Sequence, residues 1–375
     1  MPTNNKTRIN KNSRINQSGF SLVEILVGLV IGLLATLVIM QVFAVFEGQK
    51  RSTTGSADAQ INGSVALLYI QRAAQMAGFG LPMPMADKEN TSLKCSNESM
   101  SVDHDGDGGA VTAEVGLFPI VIQNGAADAS DVVTVRYSNT ALGAVPVKIT
   151  NPANAIAAVG LTVDNNIGCK NNDVVLISQG TACVMTTIAD ANGNPDTLIN
   201  ISLKNTTPVV APSPLSSAGA KLSCMGNWQD YRYEVVNNQL QLNGTPVVAE
   251  VVNIQAQYGV SASANSNQVN EWVEPTGIWA ATATTPTVAN RNRIKAIRIV
   301  VVARNGLMEK DVVTTTCTTA KGTANNGPCA WDDTDFNAAP KIDLSLTDAA
   351  WQNYRFRTFE TIIPLRNMLW SKDAL

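Results

Sequence analysis

Histidine is almost missing from this chain of 375 residues, which carries a single one, His104. A Ser-His-Asp or Cys-His constellation would have to use that residue, and no G-x-S-x-G, H-E-x-x-H or P-loop pattern accompanies it. No histidine-based enzyme is expected, and a carboxylate pair leaves no spacing signature by which to name catalytic residues. Charge is scarce too: charged residues make up 15% and the net charge is −3. Such a chain builds no positive field for a polyanion, so nucleic acid is not an expected partner. Aromatics are few, at 5%, and no Cys-x-x-Cys occurs. The six cysteines, Cys95, Cys169, Cys183, Cys224, Cys317 and Cys329, are scattered instead. Zinc and redox sites want close thiolates or histidines, so structural disulfides and an oxidising compartment are the expectation.

What is present concentrates at the N-terminus. Residues 1–19 hold Lys6, Arg8, Lys11 and Arg14 with no acid, and Phe20–Phe46 is an almost wholly apolar run of 27 residues. As a helix that run would span about 40 Å, sufficient for a tilted bilayer crossing with the basic flank on the cytoplasmic side. Its exit, Phe43-Ala44-Val45-Phe46-Glu47, offers no small-x-small cleavage site, so the helix is expected to stay attached. Glu24 interrupts the run five positions after Gly19. An ionised carboxylate in hydrocarbon costs about 2.5–3.5 kcal/mol, so a compensating group is expected. Cleavage behind Gly19 would create one, the new amino group of Phe20, on the same or a neighbouring helix; snorkelling to the headgroups is the plainer alternative. Gly28 and Gly32 form a G-x-x-x-G spacing that permits close helix approach, or is merely tolerated in a membrane helix.

The polar stretch Glu47–Gln60 is followed by Ile61, Val65 and Leu68 at helical spacing, flanked by Leu67, Ile70 and Ala74. This pattern predicts that the helix continues to about Phe79 as an amphipathic stem, its stripe covered by a β-sheet, with Gly48, Gly55 and Gly63 softening it. Gly80-Leu81-Pro82-Met83-Pro84 should stop it. Short β-branched runs then dominate, as in Asp131–Tyr137 and Val145–Thr150, with hairpins over Asp173–Ile188 and Tyr231–Leu242 and the strongest later strands over Val247–Tyr258 and Arg293–Ala303. No helix-length segments separate them, which favours an antiparallel sheet over βαβ units. Six cysteines permit about 15 pairings. The hairpin disfavours Cys169 with Cys183, and the best local pairing is Cys317 with Cys329 across a Gly- and Asn-rich loop.

Two sets of residues carry a family resemblance. Gly19-Phe20-Ser21-Leu22-Val23-Glu24-Ile25-Leu26-Val27 resembles the class III signal of type IV pilins and pseudopilins. That resemblance implies cleavage behind Gly19 by a prepilin peptidase, N-methylation of Phe20, and a role for Glu24 in docking into a growing filament. Ile70–Gly80, Leu240–Val251 with Gln257–Val260, and Phe356–Asn367 with its closing Pro-Leu-Arg-Asn are similar to the PilW family of minor pilins. The implied fold is α+β and type IV pilin-like, a long N-terminal helix packed on an antiparallel β-sheet domain. The implied layout is a cleaved leader 1–19, a transmembrane or filament-core helix 20–46, an amphipathic stem 47–80 and a β-rich globular domain 81–375.

The implied function is initiation or assembly of a type IV pilus within a tip-associated minor pilin complex, with adhesion, twitching motility or DNA uptake downstream. The implied partners are other minor pilins, the major pilin, a tip adhesin, the prepilin peptidase and the inner-membrane assembly platform. Before assembly the chain would cross the inner membrane once with its C-terminal domain in the periplasm, and later reach the cell surface. Two alternatives stay open: a minor pseudopilin of type II secretion, and a membrane-tethered calcium-dependent adhesion module that does not polymerise. The second arises from Asp103-His104-Asp105-Gly106-Asp107-Gly108-Gly109 through Glu114, which fits a calcium loop with ligands Asp103, Asp105, Asp107, the Gly109 carbonyl and bidentate Glu114. Ala110 stands where a larger apolar residue is usual and no good helix precedes Asp103, so a solvated acidic loop that binds nothing is the competing reading.

Overall fold

The computed structural model describes residues 19–81, 100–102, 118–140, 144–150, 161–165, 169–179, 182–192, 199–203, 221–282, 286–331 and 339–369. One helix, α1 (Leu22–Met76), takes up 55 residues. The chain divides into two units, Met1–Thr54 and Gly55–Leu375. In the first, the described residues are 19–54, the apolar part of α1 and the start of the polar stretch after it, exposed throughout from Gly19 to Lys50. The second holds the rest of α1 and all the strands.

The stem half of α1 buries a different face from the one its hydrophobicity suggests. Ile61, Val65 and Leu68 stand 59%, 37% and 45% exposed, whereas Gly55, Ala59, Gly63, Ala66, Ile70, Ala73, Ala74 and Ala77 are buried. The reason is distance. A Cβ on Gly63 would overlap the Phe359 ring, and one on Gly55 would overlap the Asn305 side chain, so these glycines permit close approach, a role beyond softening the helix. Dispersion attraction and burial both grow when a helix with a small-residue face lies close on a sheet, while large side chains there would hold the two apart.

Beyond Met76 the helix closes on Gly78 (φ +78), a left-handed position suited to glycine. The Gly78 N–H donates to the Arg136 carbonyl at 2.9 Å. Asn367 donates its side-chain amide to the Ala77 carbonyl at 3.1 Å, satisfying a helix-end acceptor from the far end of the sequence. Leu365 beside it is fully buried. The Pro-Leu-Arg-Asn ending thus anchors and caps the stem.

The strands, in chain order, begin with β1 (Met100–Val102), β2 (Ile120–Gln123), β3 (Val132–Ser138), β4 (Pro146–Lys148) and β5 (Leu161–Val163). They continue with β6 (Val174–Gln179), β7 (Ala182–Asn192), β8 (Ile199–Leu203), β9 (Lys221–Gly226), β10 (Trp228–Val236), β11 (Gln239–Leu242) and β12 (Thr245–Ala249). The last are β13 (Val251–Val260), β14 (Glu271–Val273), β15 (Ile294–Arg304), β16 (Cys317–Thr318), β17 (Ala324–Asn325) and β18 (Phe356–Pro364). Among the described residues they form not one sheet but a seven-stranded sheet, β4-β9-β6-β7-β8-β5 with β1 beside β7, a five-stranded sheet, β12-β11-β10-β3-β2, a four-stranded sheet, β14-β13-β15-β18, and a two-stranded ladder, β16-β17. Pairing is antiparallel apart from β1 with β7.

Both predicted hairpins form. β6 and β7 pair with Ser178 opposite Cys183. β10 and β11 turn through Asn237 (φ +52) and Asn238 (φ +59), the positive angles of a tight hairpin. The stretch expected as one strand over Val247–Tyr258 is two, because Glu250 (φ +57) breaks it and sends the chain from the five-stranded to the four-stranded sheet.

The principal core joins Ala66, Ile70 and Ala74 of the stem to Ile120, Val133, Tyr233, Tyr258, Ile297 and Ile363. β13 is buried along its whole length and β15 up to Ala303, since a second cluster, Val252, Val302, Ile342, Leu344 and Trp351, covers the far side of the four-stranded sheet. Arg298 lies between Trp272 and Trp331 there, 5.0 and 4.1 Å from the ring centroids. Two disulfides are described. Cys169 bonds Cys224 (Cα–Cα 5.3 Å) and Cys317 bonds Cys329 (Cα–Cα 5.6 Å); Cys95 lies outside the described residues.

Candidate processing and assembly site

Gly19, Phe20 and Ser21 precede the helix, which starts at Leu22. The Gly19–Phe20 bond therefore lies in non-helical backbone, and the chain becomes hydrogen-bonded from the Ile25 N–H to the Ser21 carbonyl at 3.2 Å. Glu24 stands in the first turn of α1, where the positive end of the helix dipole favours an acid. Among the described residues it has no salt-bridge partner. Glu24, Gly28 and Gly32 recur every fourth residue and share one helix face. Gly28 and Gly32 have nothing within 4 Å of a built Cβ. The surrounding apolar side chains are open as well: Phe20 is 79% exposed, Leu22 75% and Ile39 64%. By length and composition α1 is apolar enough to cross a membrane.

Such an arrangement binds rather than reacts. An exposed apolar helix needs hydrocarbon or other helices around it, and a lone carboxylate on it needs a cation or a hydrogen-bond donor. In the second unit the buried ionisable groups belong to the packing. The Asp131 carboxylate accepts the Gly125 and Ala256 N–H groups at 2.9 and 2.8 Å, joining the segment before β3 to β13. Burial, the largest influence, pushes its carboxyl up to about 7. Arg136 pairs with Asp230 at 3.0 Å, and Arg304 with Glu250 at 2.7 Å and Asp348 at 3.0 Å. The calcium expectation at Asp103, Asp105, Asp107, Gly109 and Glu114 lies outside the described residues. Among the described residues no group of three or more His, Cys, Asp or Glu side chains could hold a metal.

A family described as type IV pilus-assembly protein W matches residues 217–367, and the prokaryotic N-terminal methylation motif matches residues 14–40. Together these matches support a type IV pilus minor pilin of the PilW family. No curated protein and no solved structure matches it. The methylation-motif match contains Gly19, Phe20, Glu24, Gly28 and Gly32, and the PilW match runs from just before β9 to Asn367, the residue that caps α1. The matches imply a structural role through contacts with other pilins and the assembly machinery, and the methylation motif with its apolar helix suggests an inner-membrane-anchored pilin that assembles into the pilus.

The small-residue face of the stem and the Asn367 cap were not foreseen from sequence. The face had a signal, Gly55-Ala59-Gly63 at every fourth position followed by Ala66, Ile70 and Ala74. The cap had none, because its partners lie 290 residues apart in the chain.

Proposed function

We propose that this chain acts as a minor pilin that initiates or caps a type IV pilus within a tip-associated minor pilin complex. Prepilin peptidase removes residues 1–19, and the bond it cuts lies outside the helix, where an extended chain can enter a protease. Phe20 becomes the methylated N-terminus, residues 20–46 the membrane and then filament-core helix, 47–80 the stem and 81–375 the β-rich domain, periplasmic first and at the cell surface after assembly. The observation that carries this reading is the lone Glu24 on an exposed apolar helix one turn beyond Gly19.

Leaving that carboxylate uncompensated in hydrocarbon costs about 2.5–3.5 kcal/mol. Pairing with the amino group of a neighbouring Phe20 offsets the cost and sets the axial register between subunits. Gly28 and Gly32 on the same face allow the helices to approach closely. N-terminal sequencing of the chain from sheared filaments tests the proposal. The expected reading starts at Phe20, and Glu24→Ala is expected to be lost from the filaments; a mature chain that keeps its basic leader in cells with active prepilin peptidase would overturn it.

A further inference from the structure

β18 forms one margin of the four-stranded sheet and pairs with β15 over nine residues without a bulge. The Asn305 N–H donates to the Arg355 carbonyl and the Leu365 N–H to the Lys295 carbonyl, each at 2.9 Å, one at either end of the ladder. Both pairs keep the register that sets Arg304 opposite Phe356 and Ala296 opposite Pro364. Hydrogen-bonded pairs in an antiparallel ladder recur at alternate residues. Arg357, Phe359, Thr361 and Ile363 therefore turn their main-chain groups toward β15, and the main-chain groups of Phe356, Thr358 and Ile362 point out of the sheet.

The other sheet margins are blunted. β14, β4 and β5 have three residues each, β2 has four, and β12 has five; β4 and β12 also contain Pro146 and Pro246. β18 has nine residues with proline only at its last position, no lysine, and Ile362 60% exposed. A long, straight strand at a sheet margin, as β18 is among the described residues, invites strand pairing, and folds that do not use such an edge protect it.

We propose that β18 is the docking edge for an extended strand of a different, neighbouring pilin-class subunit, which joins the four-stranded sheet as an added strand. The choice of occupant follows from direction. Arg357 donates to the Ser56 hydroxyl at 2.8 Å, Phe359 packs on Gly63, and Asn367 reaches Ala77. β18 therefore ascends the stem in the same sense as α1. A subunit whose helix lies alongside, on the exposed Ile61, Val65 and Leu68 side chains, brings its own domain level with this edge. A second copy pairing β18 with β18 in antiparallel fashion would reverse one stem relative to the other, which two chains inserted the same way cannot do.

The inference rests on the pilin reading, and the test separates the two. In the full-length chain in detergent micelles, the Thr358 and Ile362 amides exchange fast while Phe359 and Thr361 are protected. Slow exchange at Thr358 and Ile362 means the chain covers its own edge and overturns the proposal. Thr358→Pro removes an outward N–H without touching the β15 ladder, and Ile362→Lys puts a charge on the edge. Each is expected to lower recovery in sheared filaments about tenfold, the equivalent of one lost hydrogen bond, at unchanged melting temperature. Should Thr358→Pro fail to fold, Ile362→Lys decides. Normal incorporation of a folded edge variant beside loss of Glu24→Ala defeats the edge proposal alone; normal incorporation of Glu24→Ala defeats the pilin reading. A photo-crosslinker at Ile362 is expected to trap a chain with its own N-terminal methylation motif, and adducts solely with a chain lacking one refute the choice of partner.

Discussion

Asp131 is fully buried, and its two backbone donors do not offset the loss of water around the charge. Desolvation raises its carboxyl from 3.8 to about 7, with nearby Glu274 adding a like charge. Because the folded value is the higher one, the folded chain binds more protons than the unfolded chain between pH 3.8 and about 7. The Asp131 contribution is thus most favourable near the acid end of that window and declines as pH rises through it. Thermal melts are expected to show a higher midpoint at pH 5 than at pH 8, and Asp131→Asn is expected to flatten that difference. A wild-type midpoint that rises from pH 5 to pH 8, unaltered in Asp131→Asn, contradicts the assignment. Glu24 presents the opposite case, an acid on an open helix face with no salt-bridge partner among the described residues. Its position was legible because a charge inside an apolar run is visible in a linear string.

At the scale of elements, the stem shows how close packing and hydrophobicity select different faces. Counting apolar residues picks out Ile61, Val65 and Leu68, yet the helix lies on Gly55, Ala59, Gly63 and Ala66. Gly63→Val is expected to destabilise the fold by about 1–3 kcal/mol, because the added methyls must displace the Phe359 ring. Ile61→Ala on the exposed side should change stability by no more than about 0.5 kcal/mol. Urea denaturation of the two variants checks the assignment, and the reverse order would return the large residues to the buried face. Strand β15 was visible as a β-branched run, while the break at Glu250 was not, because glutamate carries no signal for a positive φ. The edge of β18 belongs to the same group: its composition suggests a strand, but which of its N–H groups face outward depends on the register with β15.

Across the whole molecule, four of the scattered cysteines act as staples within the β-rich unit. Cys169 and Cys224 are 55 residues apart in sequence, Cys317 and Cys329 only 12. The shorter loop encloses the β16-β17 ladder beside the cluster that covers the outer side of the four-stranded sheet. Replacing Cys317 and Cys329 together by serine is expected to cost about 2–3 kcal/mol of stability. Calorimetry checks this, with an unchanged midpoint as the contrary outcome.

The chain order alone made the class of this protein legible, because the N-terminal methylation motif and the apolar run occupy one contiguous segment within residues 14–46. The local hairpins of β6 with β7 and of β10 with β11 were likewise contained in neighbouring residues. The tertiary structure decided which stem face meets the sheets, how Cys169 finds Cys224, where Asn367 caps a helix that ended 291 residues earlier, and which strand forms the sheet margin among the described residues. These depend on distances between groups far apart in the chain, and such distances exist only once the core has closed.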